Sequence, residues 1–419
     1  MPLTVFSQQK LDVRSAVNKA LANNLQVQIA RNEAKISQLQ NTFGYAGGLP
    51  SLAFSANDNN SMYNLHQKLS NGTETEKNNV ISNSLNAGLT ANYTLFNGFK
   101  MWASKERLNQ LQQMGETQLN LSIQNTIAAV MIQYFEVYRQ LQYLELMNSN
   151  LLLSEKKLEI IQTRKINGMS NQTDILQAEI DINNLMQGIK QMMLTVEDAK
   201  LNLLQIMGER TYYDFTIADT IILGISISAD SVKNFVAKNP ELLLAEQNIN
   251  VYNQLLKESK ASLYPSLKMN AGYNFSYSGS TAGFNLLTNS YGPALGASLQ
   301  VPIFNGNIYK TQIKTTQLRI QNAELEKSDL EFKIKSDIDN LFQNYQIAAQ
   351  QLELQRQTVQ KAESLLDISM LKFGAGELTI LELKEAQQLF ENAKYQFVNL
   401  NYSAKVIEIQ LLRYGCLLN

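Results

Sequence analysis

Reactive side chains are scarce in this 419-residue chain. It holds one His, His66, and one Cys, Cys416. That leaves no His/Cys metal cluster, no disulfide within the chain and no Cys–His nucleophile pair. No phosphate-binding glycine loop and no nucleophile–base pair can be found along it. The 36 basic and 37 acidic side chains give a formal net charge of −1. A phosphate-binding surface needs a basic excess, so nucleic acid is excluded as a partner. The reading is a protein that is not an enzyme and carries no cofactor and no metal. Its chemistry is that of faces and seams.

Six prolines leave wide stretches free of helix breakers. No apolar run approaches the ~20 residues of a membrane-spanning helix, which excludes a helical membrane protein but not a membrane β-barrel. Met1–Ser7 reads either as the tail of a secretory signal, with Val5 and Ser7 at the small-residue positions and cleavage before Gln8, or as a short disordered tail.

The chain is two copies of one unit. Leu95-Phe-Asn-Gly98 recurs as Ile303-Phe-Asn-Gly306, Gly168 as Gly376 and Ala178 as Ala386, each at an offset of 208. Leu49-Pro-Ser-Leu52 returns as Tyr264-Pro-Ser-Leu267 at a different offset, so a loop differs in length. The expected organisation is a first repeat over 8–208, a connector over 209–229 and a second repeat over 230–419. Each repeat should hold a first helix (11–43, 230–262), two strands, a very long helix (99–166, 307–374), a glycine break and a last helix (170–207, 378–414).

The strands show a two-residue alternation. Leu85, Ala87, Leu89, Ala91, Tyr93 and Leu95 alternate with polar residues, as do Leu267 to Tyr277 and Leu295 to Ile303, while Leu52, Phe54 and Ala56 make the weakest run. Runs of ~9–11 residues with aromatics toward their ends suit a membrane β-barrel, and a soluble sheet with one face on a core is the alternative. The polar 57–83 segment, with His66, reads as an extracellular loop. Along the last helices, Ile175, Ala178, Ile182, Leu185 and their successors, and Leu383, Ala386, Phe390, Ala393 and theirs, keep a 3–4 spacing, which is a coiled-coil seam. Roughly 68 residues of helix make a rod of about 100 Å, far beyond what a globular domain needs. Four strands cannot close a barrel, and three copies would supply twelve. Trp102, just past Phe96-Asn-Gly98, suits an interfacial anchor or helix packing equally.

The duplicated order, the paired Phe-Asn-Gly motifs, Tyr264-Pro-Ser-Leu267 and the tips Arg164-Lys-Ile-Asn-Gly-Met-Ser-Asn-Gln-Thr-Asp174 and Lys372-Phe-Gly-Ala-Gly-Glu-Leu-Thr-Ile-Leu-Glu382 together resemble the TolC family of outer membrane efflux proteins. The resemblance covers essentially the whole chain. It implies an α+β membrane protein: a homotrimer whose twelve strands, four per chain, form one barrel in the outer membrane lipid of a Gram-negative bacterium. That barrel continues into a long periplasmic α-helical coiled-coil barrel. The implied function is an exit duct for small molecules or secreted polypeptide, served by a periplasmic adaptor and an inner-membrane pump of RND or ABC type, in tripartite efflux or type I secretion. The alternative is a structural or adhesive trimeric coiled-coil protein with a β-barrel anchor.

The resemblance also implies sites. The adaptor-docking tips would be Asn167, Gly168 and Met169, and Ala375, Gly376 and Glu377. Both triplets keep the family's glycine and depart at its flanks. The periplasmic gate would hold acids six and nine residues after Gly376, at Glu382 and Glu385, where the family has Asp, with Asp174 as partner in the first half. Leu378 replaces a usual Arg and Phe373 a frequent Tyr, so the family's gate salt bridge and hydroxyl contact are missing. Metal ligands are not implied.

Overall fold

The structure is a computed structural model, and it describes residues 9–224 and 236–418. The expected cleavage site at Val5–Gln8 and the junction of connector and second repeat at 230 lie outside the described residues. In chain order the elements are β1 (Gln9–Leu11), α1 (Val13–Asn23), α2 (Leu25–Gln40), β2 (Ser51–Lys68), β3 (Glu74–Asn97), α3 (Lys100–Ile166), α4 (Gln172–Ile206), β4 (Phe215–Ile217), a 3-10 turn (Val236–Lys238), α5 (Pro240–Ala261), β5 (Ser266–Ser280), β6 (Leu287–Gln300), α6 (Ile308–Ala375) and α7 (Ile380–Tyr414). No helix among the described residues is long and apolar enough to cross a membrane. The chain divides into two units, one of residues 34–115 and 245–326, the other of the remainder.

The first unit carries an antiparallel sheet of order β2-β3-β5-β6. Phe54 pairs with Leu89, Leu89 with Tyr273 and Tyr273 with Pro293. Pro293 has no N–H to give, and it stands in β6, the last strand of this order. The apolar side chains that share Leu89's face run from Leu85 to Leu95, about 33 Å of strand, which at the usual barrel tilt is about 25 Å of apolar height. Leu52, Phe54, Leu295 and Leu299 are largely exposed, so the band has no core of its own chain to cover it.

The strands run further than their alternation. Residues 57–83, expected to be a loop, are mostly strand: β2 and β3 continue as a hairpin to a turn at Leu69–Thr73. At Asp58 and Asn60 the same face turns polar before Met62 and Ile81 pair on it, and Asn83 Nδ2 donates to Asp58 Oδ1 at 2.8 Å and Asn60 Oδ1 at 2.7 Å. Side-chain hydrogen bonds there replace the apolar signal that a period-two reading detects.

The second unit holds the seams. Val130, Val137, Ile334, Ile338, Leu203, Leu383 and Leu411 are buried along the long helices. At one place the chain departs from the expected single first helix. Asn24 separates α1 from α2: its Oδ1 accepts from the N–H of Gln26 and Val27, and its Nδ2 donates to Ile206 O at 2.7 Å. An Asn at such a break satisfies helix-end donors that the backbone leaves open. The second first helix is shorter than expected, starting at Pro240, which suits a first helical position. A two-stranded parallel sheet of β1 and β4 was not anticipated. Buried Tyr134 lies under it, its hydroxyl 2.8 Å from Leu11 O and 2.9 Å from Asp219 Oδ2.

Candidate functional site

Two hairpin ends, α3–α4 and α6–α7, carry every residue expected at tips and gate. They are built alike at the 208-residue offset. Each long helix ends in a glycine with left-handed φ, Gly168 at +75° and Gly376 at +83°. Around each the backbone closes the same way. Gly168 N donates to Lys165 O and Met169 N to Arg164 O; Gly376 N donates to Phe373 O and Glu377 N to Lys372 O. That is the Schellman pattern, in which a left-handed residue caps the last carbonyls. No Cβ-sized obstacle stands near either glycine except the far end of Arg164 at 4.0 Å from Gly376. Conformation, and not space, therefore selects glycine here.

Three residues on, a capping box starts the next helix. The Asn171 side chain accepts from Asp174 N, and the Asp174 carboxylate accepts from Asn171 N at 3.2 Å and Ser170 Oγ at 2.7 Å. Thr379 accepts from Glu382 N, and the Glu382 carboxylate accepts from Thr379 N at 2.9 Å and Thr379 Oγ1 at 2.7 Å. The hydrogen bonds from Thr379, side chain first and backbone second, hold the Glu382 carboxyl below the usual range. Two of the expected gate acids therefore serve as helix caps. The Asn171-x-x-Asp174 and Thr379-x-x-Glu382 spacings carry this signal in the sequence. Glu385, one turn further, is exposed.

Phe373 is fully buried, packed with Ile161, Ile175, Ala178, Leu366 and Leu383, with Leu378 against the same cluster. The Arg164 guanidinium lies 4.8 Å from its ring centroid and donates to its carbonyl at 3.4 Å. The ring is therefore a core contact joining the two hairpins. Asn167, Met169, Ala375 and Glu377 are exposed, and Ile166, Met169, Leu371 and Leu381 offer large apolar side chains to their surroundings.

Sequence reasoning passed over a buried charged cluster between the hairpins. Lys384 Nζ lies 3.1 Å from Asp181 Oδ2, and Lys157 Nζ 3.9 Å from the same oxygen. Gln387 Nε2 donates to Glu391 Oε1 at 3.0 Å and to Ser154 Oγ at 3.3 Å. Burial pushes the Lys157 amine down, against the pull of Asp181, and pushes the Glu391 carboxyl up. These residues sit on seam-flanking positions where a charge reads as solvated, so only their depth distinguishes them. Among the described residues, no group of three or more His, Cys, Asp or Glu could hold a metal ion.

A duplicated chain of paired long helices, glycine-marked hairpins and a four-stranded sheet with an uncovered apolar band defines the fold class of outer membrane channel subunits. Residues 16–209 and 232–414 match the family described as Outer membrane efflux protein. The chain belongs to this family. It is 22% identical to the outer membrane protein TolC of Vibrio cholerae over 79% of this chain and 76% of that protein. It is likewise 22% identical to the cation efflux system protein CusC of Escherichia coli K12, over 95% and 85%. A membrane protein of Pseudomonas aeruginosa shares the fold with TM-score 0.80 at 16% identity, covering 96% of this chain and 93% of that one. The open-state MtrE outer membrane channel of Neisseria gonorrhoeae does so with TM-score 0.77 at 18% identity, covering 97% and 89%. The protein is thus an exit-duct subunit of the outer membrane, and the adhesive-fibre alternative falls away.

Proposed function

We propose that three copies of this chain close one twelve-stranded barrel, and that their helices line a periplasmic duct whose hairpin ends dock an adaptor and narrow the entrance. The observation that carries this reading is the four-stranded sheet itself. Its order leaves β2 and β6 unpaired at the edges, and in lipid an unpaired edge is too costly to persist. Joining β6 of one copy to β2 of the next removes both edges, and three copies give the strand number that a barrel wider than the eight-strand minimum can use.

The tips support docking. Gly168 and Gly376 hold rigid, matching turns, and exposed Ile166, Met169, Leu371 and Leu381 surround them, an apolar surface of the kind that marks protein contacts. Asn167 and Met169, and Ala375 and Glu377, would make the flanking contacts with the adaptor, which in turn engages an inner-membrane RND or ABC pump. Names among the relatives span cation efflux, pyoverdine export and protease secretion. Cargo choice is accordingly assigned to the pump, and the duct is a conduit without catalysis.

At the entrance, Glu385 and the exposed, readily ionised Glu382 form the acidic mouth, three of each in the trimer. Such a ring favours cations and resists anions. Asp174 holds the first hairpin's turn, and Phe373 with Arg164 sets the spacing of the two hairpins. Planar-bilayer recording of the purified protein beside Glu382→Gln/Glu385→Gln tests both levels. A small cation-selective current that loses selectivity in the variant supports duct and mouth. An unchanged selectivity keeps the duct and removes the acidic mouth. Silence that persists after Gly376→Ala/Thr379→Ala loosens the tip would remove the duct.

A further inference from the structure

Where β3 hands over to α3 and α5 to β5, an open groove of about 440 Å³ lies between the first turns of α3 and the last turns of α5. The duct reading makes no use of it. Phe99, Trp102 and Tyr264 give it aromatic walls, and Lys257 and Lys260 give it amines. The groove is built, not incidental. A Cβ on Gly98 would stand 2.5 Å from Ala261 O and 2.7 Å from Tyr264 Cβ, so the close approach of α5 to the junction requires glycine there. Phe99 follows with left-handed φ of +67°, an unfavourable conformation for so large a side chain.

Two properties of the lining point to a ligand. The three aromatics are 67%, 57% and 59% exposed for Phe99, Trp102 and Tyr264, a wide apolar face for a water-facing helix end. Lys257 and Lys260 are exposed, and neither has an ion pair among the described residues. The candidate counter-charge on α5, Glu258, is ion-paired with Arg107 at 2.6 Å, and Glu106, bonded to Gln110 at 3.0 Å, is the one acid among the lining residues, against two amines. The N-terminus of the 67-residue helix α3 opens beside the groove and adds positive potential to that of the amines.

We propose that this groove binds the phosphate headgroup of an anionic glycerophospholipid in the periplasm-facing leaflet of the outer membrane. It rests on the sheet being the membrane-embedded part. The apolar band of β3 reaches Leu95, and β3 and β5 meet the groove at Asn97 and Ser266. The lining therefore falls at the depth where interfacial aromatics lie against headgroups, and where lysines bury their stems and hold the amine at the phosphate. The chemistry is a phosphate monoanion between two amines with its glycerol and upper acyl carbons against the rings. A zwitterionic headgroup places its own ammonium near those amines and is held less well.

Trp102 is the only tryptophan of the chain, so its fluorescence reports on the groove directly. The full-length protein is reconstituted into phosphatidylcholine vesicles carrying either brominated phosphatidylglycerol or the same fraction of brominated phosphatidylcholine, with the bromines near the headgroup. Several-fold stronger quenching by the anionic lipid is expected, abolished in Lys257→Gln/Lys260→Gln and kept in Lys257→Arg/Lys260→Arg. Equal quenching of the wild-type protein by both lipids overturns the proposal, as does a preference that survives the double Gln variant. Loss of the preference on adding inorganic phosphate at constant ionic strength would assign the groove to a free anion and overturn it too. Quenching by aqueous iodide with none from either lipid would place the groove away from the bilayer, while bilayer conductance would still decide the duct.

Discussion

Gly208 and Cys416 close corresponding helices of the two repeats with the same turn, at φ of +76° and +53°. Gly208 N donates to Gln205 O and Glu209 N to Leu204 O; Cys416 N donates to Arg413 O and Leu417 N to Leu412 O. The second copy thus places a side chain where the first has none. A left-handed conformation costs an L-residue about 1 kcal/mol, and glycine is free of that cost. Cys416→Gly should therefore stabilise the protein by about 1 kcal/mol, read as a rise in the midpoint of unfolding in detergent. Gly208→Ala should do the opposite and more, because the new Cβ would lie 2.5 Å from Asn23 O. An unchanged midpoint for both would mean that these turns are not held in the folded protein.

Tyr134 is expected to matter to the same region through its hydroxyl. It is fully buried and reaches both Leu11 O and Asp219 Oδ2, while Asp219 Oδ2 also accepts from Val13 N at 2.8 Å. Tyr134→Phe leaves the ring and removes one donor, at a cost of about 1–3 kcal/mol for the buried acceptors left short of a partner. Hydrogen exchange should show the loss at β1 and β4 first. A uniform drop across the chain would instead point to general damage.

The capping boxes give the tips a pH response with a defined sign. A carboxyl held low in the folded state contributes stability that is present above its ordinary range and is lost as pH falls through the folded value. Glu382 is such a group, so the start of α7 should hold at neutral pH and fray only below the usual carboxylate range. Thr379→Ala removes the reciprocal bond and should cost about 1 kcal/mol at neutral pH. It should also move the onset of fraying, followed by exchange of the Glu382 amide, to higher pH. An onset that stays in place would remove Thr379 as the cause.

What the sequence revealed and what it hid follow from how far each signal extends. The long helices and hairpin glycines were legible because a seam repeated over many turns, and a second copy at fixed offset, average out local noise. The 57–68 and 74–83 strands were not, because Asp58, Asn60 and Asn83 bond to each other on a face where alternation requires apolar side chains. β1 and β4, three residues each, are too short for any period to register. The break at Asn24 rests on one side chain bonding three ways. At the hairpin ends, the turn glycines and the acids that follow them were visible by position. The burial of Phe373 and the Lys157 cluster depends on which hairpin faces which, and no single-helix pattern encodes that.

That cluster yields the most demanding expectation. Lys157 is almost wholly buried, and Asp181 is the acid shared by it and Lys384. Asp181→Asn would strand the Lys157 amine, already pushed down by burial, while Lys384 keeps its solvent, and should destabilise the paired hairpins by roughly 3 kcal/mol, at the low end for a broken buried pair because Asp181 keeps some solvent. Lys157→Met in that background should restore much of the loss, since an apolar side chain of similar length has no charge to compensate. Glu391 works with the opposite sign to Glu382. Burial raises its pKa, so its contribution is full below the ordinary carboxylate range and fades as pH rises through the raised value. Glu391→Gln should flatten that part of the stability profile, read as unfolding midpoints across the same pH range. If Asp181→Asn and Asp181→Asn/Lys157→Met unfold alike, the buried amine is not what Asp181 compensates.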